Sequence, residues 1–345
     1  MYSNIADVIH IGMPKTATTW LQEGLFPSVD EFALLGKPFS VDKRYRNLLF
    51  KFTGINDLEF DADFFKNEYS KLNRENESKL KGKVKLISFE LLSGEMYFGA
   101  DAKTLPYRIK AVFGNIKIIM IIREQKSMVE SMYKYYVMSG GSLNIRSFIN
   151  SGVLSPAVDI YGNRSMFFKY KYDLLINLYR DLFGKDNVLI MPYERLKNDK
   201  ELFLKKLFLF CNVKGNDYKM SASKINVGFS YLSVNLLRFF NYLLITSKSN
   251  SPITISGYLY SYLYKMLEKA DQCIFKYISP KRKFIEKHNL GTITRLAMLF
   301  LKVDIKLENK KIDELINQNY AVSNKKTKEL TGIDLEQFGY HLDRK

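Results

Sequence analysis

Short apolar runs rich in β-branched residues alternate with longer amphipathic stretches through the N-terminal part of the chain. The runs Val8–Gly12, Phe32–Leu35, Val84–Phe89, Ile116–Ile122 and Val188–Met191 read as strands. Several are apolar without alternation, which suits a parallel sheet covered on both faces. Helical periodicity falls between them, at Thr18–Leu25, Asp61–Asn73, Thr104–Phe113, Lys126–Met138 and Met166–Phe183. Strands alternating with helices predict an α/β fold, an open parallel sheet flanked by helices with right-handed crossovers.

Beyond Met191 the pattern becomes helical. The stretch "NDKELFLKKLFLFCNV" places Leu202, Leu204, Leu207 and Phe208 for packing, and two further helical stretches follow at Tyr231–Leu244 and Tyr258–Tyr277. The polar "TSKSNSPITISG" between those two reads as a loop. The expectation is one domain over 1–345, with a helical insertion at 239–318.

Composition then bounds the function. A hydrophobic fraction of 46% with 26% charged residues describes a globular chain. Lys and Arg number 53 against 36 Asp and Glu, a formal net charge of +17. Such a surface suits an anionic partner. Cys211 and Cys273 match no zinc spacing, and His10, His288 and His341 are scattered, so no metal site is expected. The start shows no signal-peptide pattern. The stretch Leu232–Thr246 is too short to span a bilayer and carries Arg238. The expected location is the cytoplasm, with peripheral contact at the inner face of a membrane as a further option. The tyrosine-rich "GYLYSYLYKML" and apolar "RFFNYLLIT" fit either an amphipathic surface or ordinary core helices.

The chemistry begins after the first strand, in "VIHIGMPKTATTWLQ". A Walker A loop, G-x-x-x-x-G-K-[ST], would put its lysine at position 18, which is Thr18 here. The lysine stands instead at Lys15, behind Pro14. The loop therefore suits one phosphate at a helix N-terminus better than a triphosphate with Mg²⁺.

The segment "PKTATTWLQ" resembles the 5′-phosphosulfate loop of the sulfotransferases that use PAPS, 3′-phosphoadenosine 5′-phosphosulfate. The usual form there is P-K-T-G-T-T-x-L; Ala17 departs from it. The resemblance, closest to bacterial carbohydrate-type members, implies a P-loop-like sulfotransferase fold. It also implies PAPS as co-substrate, PAP as product and no required metal. Pro14, Lys15, Thr16, Ala17, Thr18, Thr19 and Trp20 would then bind the 5′-phosphosulfate. In the family the 3′-phosphate is held by an Arg after a later strand and a Ser eight residues on. "IIREQKSMVES" supplies Arg123 and Ser131 at that spacing. Where relatives often have Arg-Asn-Pro, this chain has Arg123-Glu124-Gln125.

Relatives carry a histidine or a glutamate at the end of the strand that here closes in "VKLISFELLSGEMY", so Glu90 is the expected base and Lys15 the expected cation at the reacting group. Ser88 and Glu95 are weaker candidates. "KINVGFS" resembles a loop covering the nucleotide, which offers Lys224 and Asn226 as contacts. Tyr193, Glu194 and Leu196 match a structural Tyr-Glu-x-Leu element, and "SNKKTKELTGIDLEQFGY" resembles the closing segment of bacterial members.

The expected activity is in-line sulfuryl transfer from PAPS to a hydroxyl of a carbohydrate or glycolipid. A small-molecule kinase on the same scaffold would need a lysine at Thr18. A non-catalytic nucleotide- or glycan-binding member of a polysaccharide assembly system would not need Lys15 or Glu90. No nucleic-acid recognition motif accompanies the positive charge. The sequence does not set the oligomeric state.

Overall fold

The computed structural model describes residues 4–37, 40–94, 101–150, 170–215, 231–244, 265, 266, 269 and 310–342. Two compact units divide the chain. The first is Met1–Met128, Asn163–Lys224 and Leu315–Lys345; the second is Val129–Gly162 and Ile225–Glu314.

The first unit holds a five-stranded sheet of β1 (Val8–His10), β2 (Phe32–Leu34), β3 (Val84–Ser88), β4 (Lys117–Ile122) and β5 (Val188–Pro192). Its order is β2-β3-β1-β4-β5, and every pairing is parallel. The five expected strands are all present. Their apolar runs are explained by burial: Ile9, Ile87 and Ile118 to Ile122 are essentially inaccessible. On one face Leu21, Leu25, Phe203, Leu204 and Leu207 pack against Ile119 and Met191.

The helix Thr104–Phe113 has the expected limits, and Gln125–Met138 begins one residue early. The expected helix Met166–Phe183 begins only at Tyr172 among the described residues. Tyr170 is buried and its carbonyl accepts from Gln125 Nε2, so the chain there serves a neighbour and not a helix. The helix Lys200–Cys211 starts at Asp199, whose carboxylate accepts from the Leu202 amide at 3.0 Å. A cap of this type stabilises by about 1 kcal/mol. Phe203, Leu204, Leu207, Phe208 and Cys211 form its buried face, with Leu202 half-buried at its edge.

A helix at Lys43–Gly54 was not anticipated. Asp42 caps it, and Tyr45, Leu48, Leu49 and Phe52 are its buried stripe. These positions follow helical spacing, so the signal was in the sequence.

In the second unit the helix Tyr231–Leu244 is present, and Asn241 Nδ2 donates to the carbonyls of Val137 and Gly141, each at 2.8 Å. The expected loop 246–257 lies outside the described residues. So does the helix Tyr258–Tyr277, apart from helical positions at Lys265, Met266 and Lys269. Most of 239–318 lies outside them as well. No helix among the described residues is long and apolar enough to cross a membrane.

Candidate active site

β1 is central, with β3 on one side and β4 on the other: the chain runs from β1 to β2 and β3 on one side, then crosses to β4 and β5 on the other. Beyond the carboxyl ends of such strands lies the crevice where open parallel sheets keep their ligands. Three segments emerge there: the Gly12–Thr19 loop after β1, Glu90 after β3, and Arg123 after β4.

Register brings the first two together. His10 pairs with Ser88, so Gly12 runs alongside Glu90. A Cβ on Gly12 would stand 2.9 Å from the Glu90 Cα, and Gly12 has φ +60°. Only glycine satisfies both conditions without displacement. Lys15 and Ala17 also have positive φ, 61° and 62°. Each such non-glycine residue costs roughly 1–2 kcal/mol. The loop is held in an unfavourable shape, as functional loops often are.

Hydrogen bonds fix this shape. Thr16, fully buried, donates from Oγ1 to the Met13 carbonyl at 2.6 Å. The hydroxyl of Thr18 donates to Glu90 Oε1 in a short hydrogen bond. Ser93 Oγ donates to the Glu90 carbonyl at 3.0 Å. Pro14 is buried, Thr19 is exposed and Trp20 is half-buried, with Lys200 Nζ 5.3 Å from the centre of the Trp20 ring. The helix begins at Thr18, and Trp20–Leu25 continue it as a wider π-helical turn, not the α-helix expected. Gly24 lies within that turn and weakens the α-helical preference, and Pro27 follows it. N–H groups of the first helical turn face the loop, an arrangement that favours anions.

Arg123 closes the far side. Its Nη1 donates to the Lys15 carbonyl at 2.8 Å and its Nε to Ser127 Oγ at 2.9 Å. The guanidinium carbon lies 4.8 Å from the centre of the Tyr193 ring, within cation–π range. Burial lowers the Lys15 ammonium pKa from its ordinary value; the Glu90 carboxylate opposes this shift, and Arg123 adds to it. Lys15, Thr18, Glu90 and Arg123 therefore form one constellation.

Ser131 lies half-buried on the helix Gln125–Met138, in the second unit. Lys224, Asn226 and Glu95 lie outside the described residues. Ser88 is buried, shared between His10 Nδ1 at 2.8 Å and Gln22 Nε2 at 3.1 Å, which suits support and not proton transfer. Two partners were not anticipated. Ser127 sits one helical turn after Arg123, and Tyr172 brackets the Arg123 main chain, donating to its carbonyl at 2.7 Å. The spacing of Ser127 could have been read; Tyr172 is 49 residues away and could not.

A family model described as a sulfotransferase domain matches residues 6–254. No curated protein matches the sequence. Among the solved structures that show similarity are three sulfotransferases. A sulfotransferase from Alicyclobacillus acidocaldarius is 14% identical, with 64% of this chain and 87% of that one covered and a TM-score of 0.45. Mouse sulfotransferase SULT7A1 complexed with PAP is 19% identical over 81% and 90%, with a TM-score of 0.36. The sulfotransferase domain from the curacin biosynthetic pathway is 13% identical over 75% and 97%, with a TM-score of 0.39.

Proposed function

The chain belongs to the sulfotransferase domain family and is a sulfotransferase; we propose that its donor is PAPS and its acceptor a hydroxyl of a carbohydrate or glycolipid. The observation that carries the donor reading is the bond from Arg123 to the Lys15 carbonyl. It ties a two-ended cation to the loop that begins a helix. A donor with phosphates at both its 5′ and 3′ positions needs two separate anion sites, and loop and arginine provide them.

PAPS, when bound, supplies the sulfuryl group and leaves as PAP. The residues of the chain do the rest. Main-chain N–H groups from Thr16 to Thr19, with the side chain of Thr19, hold the 5′-phosphate. Thr18 is uncharged and donates its proton to Glu90, so this position offers no cationic clamp for a triphosphate, which speaks against a kinase. Arg123 holds the 3′-phosphate through charge-assisted bonds, and Ser131 is assigned to the same phosphate on its eight-residue spacing in the sequence alone. Lys224 and Asn226 are assigned to the cofactor on the resemblance of "KINVGFS" alone.

Glu90, with Oε1 fixed by Thr18, accepts the proton of the acceptor hydroxyl at Oε2. A positioned base is worth about 10²–10⁴ in rate. Lys15 faces the negative charge that develops on the leaving side, where a preorganised cation acts most strongly. The resemblance associates a glutamate in this place with glycan-modifying members of the family, and that is what supports the carbohydrate acceptor. Cytoplasmic location belongs to the same proposal and rests on cysteine usage: Cys211 and Cys273 make no disulfide framework, which suits a reducing compartment.

Calorimetric titration with PAP, adenosine 5′-phosphate and ATP tests the donor. The expected result is a clear preference for PAP that Arg123→Ala removes. A preference for ATP would sink the reading.

A further inference from the structure

We infer that the closing segment of the chain, through Asn324 and Tyr340, is a positioning element for Arg123 and thereby sets selectivity for a 3′-phosphate. The inference rests on the reading of Arg123 given above.

The turn Arg123-Glu124-Gln125 is pinned at three consecutive residues by partners distant in sequence. Tyr172 holds the first: its hydroxyl donates to the Arg123 carbonyl at 2.7 Å and accepts from the Arg123 amide at 3.3 Å. Glu194 holds the second, accepting the Glu124 amide on Oε1 at 3.0 Å. The other oxygen of Glu194 accepts from the Tyr340 hydroxyl at 3.3 Å. Burial raises the Glu194 pKa, opposed by these bonds and by Arg123.

Gln125 is held by Asn324. Gln125 Nε2 donates to Asn324 Oδ1 at 2.7 Å, and Asn324 Nδ2 donates to Gln125 Oε1 at 3.0 Å. Gln125 Nε2 also donates to the Tyr170 carbonyl at 3.3 Å, and Asn324 Nδ2 to the His341 carbonyl at 3.0 Å. Each residue is 1% exposed, and all four amide hydrogens are used. A satisfied buried amide pair fixes geometry in a way that apolar side chains of equal volume do not. It lies two residues from Arg123, on the residue that stands where the family often has a proline.

The guanidinium is bonded at Nε to Ser127, on the helix that the turn begins, and at Nη1 to the Lys15 carbonyl of the loop, so a displaced turn disturbs both bonds and the direction they set. A shift of about 1 Å would misalign a bidentate contact, and displacements of that size can cost up to about 10²-fold. The closing segment touches the turn, and Asn324 and Tyr340 act through it as positioning residues.

The test measures binding of PAP and of adenosine 5′-phosphate to the full chain and to Asn324→Leu, Tyr340→Phe, Arg123→Ala and the Arg123→Ala/Asn324→Leu double variant. Asn324→Leu is expected to weaken PAP about tenfold and leave adenosine 5′-phosphate within about twofold. Tyr340→Phe, which removes one oxygen, is expected to weaken PAP about threefold. Where Arg123 is already alanine, Asn324→Leu should add nothing. Equal weakening of both ligands, or an undiminished Asn324→Leu effect in the double variant, would mean a purely structural role and overturn the inference. If Asn324→Leu does not fold, the Tyr340→Phe ratio decides alone. If Arg123→Ala removes the preference but both closing-segment variants keep it, only this inference falls. If Arg123→Ala leaves the preference intact, the assignment of Arg123 falls with it.

Discussion

The hydroxyl of Thr18 donates to Glu90 Oε1 across 72 positions of sequence, joining the loop after β1 to the end of β3. The bond orients the carboxylate and spends the threonine proton. Glu90→Gln is expected to lower sulfate transfer by about 10²–10⁴ while PAP affinity stays within about threefold. Thr18→Val keeps the shape, removes the hydrogen bond, and is expected to cost about tenfold in turnover. Unchanged turnover in Glu90→Gln, measured with labelled sulfate donor, would remove Glu90 as the base.

Lys15 gives a pH prediction. Its ammonium is partly desolvated, so it loses its proton at a lower pH than an ordinary lysine. PAP affinity should therefore fall as pH rises, with a midpoint below the usual lysine range. Glu90 holds that midpoint up and Arg123 pushes it down. Glu90→Gln should move the fall to lower pH, and Lys15→Ala should abolish it. Affinity profiles from about pH 7 to about pH 10 check both statements.

The two ends of the loop predict substitutions of opposite sign. Gly12→Ala places a methyl group 2.9 Å from the Glu90 Cα at φ +60°. It should destabilise by roughly 1–3 kcal/mol and depress turnover by moving the base. Ala17→Gly relieves a left-handed alanine. After the added freedom of the unfolded glycine is counted, a net gain of about 0.5 kcal/mol remains. Urea unfolding midpoints should move down for the first variant and up for the second.

His10 predicts acid sensitivity. Its imidazole is fully buried, and burial lowers its pKa from 6.5 to about 3. The unfolded chain takes up this proton below pH 6.5, whereas the folded chain does not until about pH 3. The stability carried by the neutral ring is complete above the higher value and is lost as pH falls toward the lower one. The slope approaches about 1.4 kcal/mol per pH unit. Denaturation at several pH values should show it, and His10→Asn should flatten that part of the curve.

The sheet was legible because a buried parallel strand must be apolar along its whole length. The runs at Val84 and Ile116 therefore declared themselves without tertiary information, and the strand-to-helix junctions marked where a ligand site must lie. Lys43–Gly54 was equally written, in the Asp42 cap and the Tyr45, Leu48, Leu49 and Phe52 stripe, but was not read. For the π-helical course of Trp20–Leu25 the sequence offers only Gly24 and Pro27, which weaken an α-helix without specifying a π-helical turn, since α and π turns share their local preferences.

The residue types of the site can be read along the chain: a lysine displaced to position 15, a glutamate ending one strand, an arginine ending another. Their relations to one another come from packing. Strand order set β1 between β3 and β4, and register put Gly12 beside Glu90. From this follow the Thr18–Glu90 bond, the hold of Arg123 on the Lys15 carbonyl, and the grip of Asn324 on Gln125, 199 positions away. Hydrogen bonds between distant segments have no local periodicity to announce them; they exist because packing brings the segments within about 3 Å of each other.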